Sequence, residues 1–251
     1  MQPPPLPVHV LLPEARLAEE FVAAFAARFL PEKFFYWSPL SVRAWLDLCG
    51  QGAYRNFSRS HRLVQRWVDA GLPGVDGPVD VWSLGTGNGE KDVRVLEALR
   101  TRGLMPCYRG VDASLGLLEV ACAAATAAGF EAVAYKADLA EAAHRAVLHA
   151  VEPGRRRLVL LLGNTLGGLD PLPFAASLRG LLRPHDLLLV DGEIGAGAET
   201  LSGYDNPVNR RFAFAPLASL GLAEPDDGEL RFEYQDDGRR PGLTRVAKSF
   251  R

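Results

Sequence analysis

The stretch "VDVWSLGTGNGEKD", residues 79–92, decides how this chain folds. An apolar run of strand length breaks into three glycines at alternate positions, Gly85, Gly87 and Gly89, and then turns charged. The next segment, "EKDVRVLEALRTRG" (90–103), has helical spacing of its apolar residues. Glycine between a strand and a helix permits positive φ. It also lets a ligand lie directly on the backbone beside the free N–H groups of the helix start.

Working outward, "YRGVDAS" (108–114) reads as the second strand and ends in Asp112, 23 positions after Gly89. A carboxylate at that place binds a ribose diol by paired hydrogen bonds. "KADL" (136–139) puts Asp138 at the end of the third strand, where an adenine amino group can be recognised. "LLLGNTLGGLD" (160–170) sets small and polar residues, Asn164 and Thr165 among them, past the fourth strand, over the carboxyl edge where such sheets hold ligands. Together these outline a nucleoside site. A dinucleotide loop of the form G-x-G-x-x-G expects its third glycine where this chain has Glu90. The spacing G-x-G-x-G suits a ligand without pyrophosphate, such as S-adenosylmethionine, with NAD the disfavoured alternative.

Further runs, "RRLVLLLGN" and "DLLLVDGE", alternate with helical segments, which indicates a parallel βαβ sheet buried on both faces. Upstream, "EARLAEEFVAAFAARF", "SPLSVRAWLDLC" and "SHRLVQRWVDAG" read as helices, with Ser38 and Ser60 as N-caps of the last two. Residues 2–7 are proline-rich and read as a loose tail. "LRFEYQDDGRRPGLTRVAKSF" (230–250) reads as two strands around a polar turn. The plan is a helical segment over 1–74, an α/β ligand-binding domain over 75–195 and a mixed segment over 196–251. The two end segments together form a smaller second domain.

Bulk properties narrow the function classes. With 251 residues, 48% hydrophobic, the chain can bury a large core, and a net charge of −2 argues against a nucleic-acid face. Cys49, Cys107 and Cys122 form no CxxC pair or even framework, which favours a reduced cytoplasmic setting. Neither a signal peptide nor a membrane-length apolar run is found. The five histidines show no metal-ligand spacing, so no metal is expected.

With these residues in place, the chain resembles the histidine-specific α-N-methyltransferases of ergothioneine biosynthesis. "LGTGNGEKD" is similar to the family's donor loop, "YRGVDAS" to its second-strand motif and "RRLVLLLGNTLGGLDPLP" to its signature after strand four. "LPEKFFYW" (30–37), "YDNPVNRRFAF" (204–214) and "LTRVAKSFR" (243–251) resemble further segments in the same order. The resemblance implies a class I methyltransferase sheet of Rossmann-like type carrying S-adenosylmethionine. Gly85, Thr86, Gly87 and Gly89 would then line the donor, with Lys91 approaching its carboxylate. Asp112 and Ala113 would hold the ribose, Asp138 and Leu139 would frame the adenine, and Asn164 and Thr165 would close the loop side. Tyr36 falls at the family's substrate tyrosine and is the candidate catalytic residue, Asp205 a second candidate for removing a proton; Tyr54 matches a second substrate tyrosine when one inserted residue is allowed.

Departures from the family bear on the acceptor. Where the family anchors the amino acid's backbone with asparagine, this chain has Gly168, and where it holds the imidazole with Glu and Ser, this chain has Arg245 and Ala247. A guanidinium only donates hydrogen bonds and repels cations, so histidine is a poor fit and an anionic acceptor a better one. The expectation is a small-molecule methyltransferase acting on an amine or amino-acid-like acceptor, alone, as an oligomer or with a partner subunit. The rivals are a non-catalytic donor-binding regulator and, less favoured, a nucleotide-dependent oxidoreductase.

Overall fold

The computed structural model describes residues 5–51, 55–150, 154–192, 201, 203–236 and 244–251, with residues 55–56 described in backbone only. Strands β1 (Val8–Val10), β2 (Val79–Leu84), β3 (Tyr108–Asp112), β4 (Ala132–Lys136), β5 (Arg156–Leu161) and β6 (Leu187–Val190) form one sheet in the order β1-β4-β3-β2-β5-β6. Every pairing in it is parallel. Helices α4 (Glu90–Thr101), α5 (Leu115–Ala127) and α7 (Pro171–Leu181) lie between strands, as parallel strands require. A one-turn helix, α6 (Ala142–Arg145), precedes β5.

Alternation along β2 shows how both faces are covered. Val81 belongs to a core with Val95, Leu96, Leu99, Leu118 and Ala121 from α4 and α5. Its neighbour Trp82 belongs to the opposite core with Tyr135, Leu148, Val159 and Phe174. All six residues of β2 are buried, so the segment that carries the glycine loop is the sheet's rigid centre.

The five strand runs between residues 79 and 193 are therefore present, in the doubly wound arrangement expected. β1 was not expected. The tail reading fails for the described residues 5–7: Pro7 O accepts from Ala134 N at 2.9 Å and Leu6 packs on the core. β1 is an edge strand, its three residues all exposed, so no buried alternation marks it in the sequence.

Before β2 the chain forms α1 (Glu14–Ala26), a 3-10 turn (Glu32–Tyr36), α2 (Pro39–Cys49) and α3 (Arg55–Asp69). Ser38 caps α2 as expected, its Oγ accepting from Ser41 N at 3.1 Å. Ser60 does not cap α3: the helix begins at Arg55 and Ser60 lies in its interior. After the sheet come α8 (Pro207–Ala218) and the antiparallel hairpin of β7 (Leu230–Asp236) and β8 (Thr244–Phe250). The two chain ends meet in an aromatic cluster, where Phe35 and Trp45 pack with Phe212 of α8 and Leu117 of α5.

All three cysteines are free. Burial raises their thiols, to about 12 for Cys49 and Cys122 and about 11 for Cys107. Among the described residues no helix is long and apolar enough to cross a membrane, and no cluster of His, Cys, Asp and Glu could hold a metal.

Candidate donor and acceptor site

The site is built on the carboxyl ends of β2, β3, β5 and β6. Gly85, Gly87 and Gly89 all have positive φ, +79°, +54° and +75°. Their reasons differ. A Cβ on Gly89 would stand 2.8 Å from Ala121 Cα, so this glycine lets α4 and α5 touch. A Cβ on Gly85 would meet Thr165 at 2.8 Å, so the loops after β2 and β5 close on each other there. At Gly87 the nearest atom would be Trp45 Nε1 at 3.8 Å, leaving this backbone open toward the aromatic cluster.

Asp112 anchors the loop. Its Oδ2 accepts from Thr86 N at 3.0 Å and its Oδ1 from Ser114 N at 2.9 Å. Burial pushes its carboxyl up to about 6, against the hydrogen bonds that favour the anion. Ala113, the next residue, is partly buried beside the Leu12–Phe34 cluster. Lys91, at the start of α4, donates to Ser60 Oγ at 2.9 Å and lies against Gly163, where a Cβ would come within 2.7 Å of Nζ. Burial pulls its ammonium below the ordinary lysine range, and Asp191 opposes that.

Asp191, immediately after β6, ties this side together. Its Oδ1 accepts from Gly163 N at 2.6 Å and Asn164 N at 3.0 Å, and its Oδ2 bonds Ser60 Oγ. Asn164 takes positive φ (+64°) and folds over Gly167, while Thr165 Oγ1 donates to Leu162 O at 2.8 Å. Asp191 was not singled out in the sequence, and Ser60 only as a helix cap, a role it does not have. The signal was there for Asp191: it follows the run "DLLLV" as Asp112 ends "YRGVD".

Asp138 is buried and already engaged. Its Oδ2 accepts from Lys33 Nζ at 2.6 Å and its Oδ1 from Ala140 N at 2.8 Å. Burial works against the charge of Lys33, yet its hydrogen bonds to Asp138 and Glu20 hold the ammonium above its usual range. Leu139 is buried in the core, and its carbonyl accepts from Arg145.

On the acceptor side, Tyr36 stacks edge-on against Trp45 with ring centroids 5.2 Å apart and lies 5.3 Å from Phe212. Gly168 ends the 3-10 turn Thr165–Gly168, and Glu32 covers it: a Cβ there would meet Glu32 Cγ at 2.9 Å. Asp205 pairs with Arg210 at 2.9 Å. Arg245 is exposed on β8, opposite Gln235, and lies an odd number of positions from Lys248, so the two point to opposite faces of the strand. Tyr54 lies outside the described residues. The structure thus brings Gly85, Gly87, Asp112, Lys91 and Thr165 to one edge, and sets Tyr36 and Gly168 beside it.

Strand order, parallel sheet and glycine loop together define an α/β fold of the class I methyltransferase type. No protein-family model matches the chain. The chain is a divergent relative of proteins named histidine N-α-methyltransferase. It is 35% identical over 130 residues to the one from Mycobacterium tuberculosis, covering 49% of this chain and 39% of that protein. To the one from Mycolicibacterium smegmatis it is 29% identical over 182 residues, covering 67% and 52%. The matches span about half of these relatives or less. An S-adenosylhomocysteine-bound methyltransferase from Podospora anserina overlaps 96% of the chain and 98% of its own at 13% identity, but with a TM-score of 0.39 that overlap is too loose to build on.

Proposed function

We propose that this chain binds S-adenosylmethionine at the glycine loop and transfers its methyl group to a small amine or amino-acid-like acceptor other than histidine. One arrangement carries the donor half: Asp112 at the end of β3 accepts from Thr86 N, and the next loop residue, Gly87, presents open backbone. An ionised carboxylate there accepts from both hydroxyls of a ribose. Lys91 beside Gly163 suits the donor's own carboxylate, and its depressed ammonium is what an anionic ligand group would restore. The relatives' names support the reaction class.

The donor supplies a methyl already activated on a sulfonium. The acceptor's lone pair forms the new bond to carbon, the sulfur keeps the old bonding pair, and the amine sheds a proton. The protein's task is alignment and exclusion of water, for which Trp45, Tyr36 and Phe212 form the wall. Tyr36, at the edge of that wall, is the candidate to receive the proton. Histidine is disfavoured because Ala247 offers an imidazole no hydrogen bond and Glu32 fills the space over Gly168. A non-catalytic donor-binding protein is the second reading, favoured by one observation: a cation of this chain's own, Lys248, already stands against the aromatic cluster.

Calorimetric titration with S-adenosylhomocysteine and, separately, NADH tests the donor half. Binding of the first alone is expected; binding of NADH alone would overturn it.

A further inference from the structure

Lys248 is a lysine in an unusual place. Its side chain is only 14% exposed, and Nζ stands 4.3 Å from the ring centre of Phe35 and 5.3 Å from that of Phe212. Two rings attract an ammonium but cannot replace the hydrogen bonds its three donors lose on leaving water. The carboxylate facing it, Glu32 Oε1, stands at 3.8 Å, beyond hydrogen-bonding range. Among the described residues Lys248 Nζ donates no hydrogen bond. The charge is held but incompletely satisfied.

Glu32 connects this lysine to the donor loop. Its Cγ rests on Gly168 at one end of the turn Thr165–Gly168, while Thr165 at the other end closes on Gly85. A 3-10 turn of four residues rises about 6 Å, so the pair lies one short turn from the loop. Any side chain at position 168 would push Glu32 off its place, so the glycine there and the Glu32–Lys248 contact belong together.

Resting on the methyl-transfer reading, we propose that Lys248 is the anion anchor of the acceptor pocket. Glu32 is its resting counter-ion, which an acceptor's carboxylate or phosphate displaces to hydrogen-bond the ammonium while the rest of the acceptor lies on Phe35 and Phe212. The role that the closing-strand motif suggested for Arg245 passes to the lysine three positions on, whose side chain faces the cluster. An ammonium that gains a true acceptor, in place of a carboxylate at 3.8 Å, selects strongly for anionic over neutral acceptors.

The test is thermal-shift and calorimetric titration of the protein saturated with S-adenosylhomocysteine. Matched probes are each common α-amino acid against its decarboxylated amine, and O-phosphoethanolamine against ethanolamine. At least one anionic member is expected to bind tenfold or more tightly than its neutral counterpart, and the two arms tell carboxylate from phosphate. Lys248→Met is expected to erase that difference while S-adenosylhomocysteine binds as in the parent. Glu32→Gln, which removes the competing carboxylate and leaves the lysine, is expected to tighten the anionic probe several-fold and keeps the test decisive should the first variant fail to fold. No discriminated pair, discrimination that survives Lys248→Met, or an anionic probe not tightened by Glu32→Gln would overturn the proposal. Failure of S-adenosylhomocysteine to bind overturns the donor reading instead, and the probe pairs are then compared without it.

Discussion

Asp112 accepts the backbone N–H of Thr86 at 3.0 Å, so the acid ending β3 fixes the glycine loop that follows β2. The bond couples folding and binding through one carboxylate that burial has pushed up to about 6. With the folded value above the ordinary 3.8, this group's contribution to stability is full below that value and is lost as pH rises through 6. The charged form therefore costs the ligand-free protein on the order of 3 kcal/mol once pH is well above 6. Asp112→Asn is expected to gain stability relative to the parent as pH rises from about 4 to about 7 and no further above that, measured by denaturant titration, while its affinity for S-adenosylhomocysteine falls about tenfold or more. A stability difference that does not change with pH would contradict this.

Gly89 and Gly87 share a backbone conformation but not a reason for it. Gly89→Ala drives a Cβ into the backbone of α5 at Ala121 Cα and is expected to lower stability by roughly 3 kcal/mol or more. Gly87→Ala meets only Trp45 Nε1 at 3.8 Å and is expected to cost about 1 kcal/mol through its φ, yet to cripple donor binding. Melting temperature and S-adenosylhomocysteine titration, read side by side, separate the two.

Lys91 is aimed at the donor's carboxylate, and a pair of ligands isolates that contact. Methylthioadenosine keeps the nucleoside and lacks the amino-acid part. Lys91→Met is expected to weaken S-adenosylhomocysteine about tenfold or more and to leave methylthioadenosine unchanged within twofold. Equal losses for both would move Lys91 away from the carboxylate.

Lys33 neutralises buried Asp138 across 2.6 Å. Lys33→Met strands a carboxylate that is 6% exposed and is expected to cost about 3 kcal/mol in chemical denaturation. Lys33→Met together with Asp138→Asn is expected to recover most of it. No recovery in the double variant would mean that packing, not charge, makes the contact matter.

The central sheet was legible because its strands are apolar runs separated by helical spacing, and Gly85, Gly87 and Asp112 sit where strand ends put them. β1 was not, since three exposed residues at an edge carry no burial pattern. Ser60 looked like a cap from its place before a helical run, but α3 starts five residues earlier, and the hydroxyl serves Lys91 and Asp191 instead. The acceptor side was the least legible. Glu32, Trp45, Phe212 and Lys248 come from four separate elements at both ends of the chain, brought together by the packing of α2, α8 and the turn Glu32–Tyr36 on one another and by Lys248 on Phe35 and Phe212.

The most direct measurement is release of S-adenosylhomocysteine from S-adenosylmethionine, with L-histidine, with the anionic amines that bind through Lys248, and with no acceptor. The expected result is release above the no-acceptor control for at least one of those amines and none for L-histidine. Release with L-histidine above the control, or with none of the amines, would contradict an acceptor site rebuilt around Glu32 and Lys248.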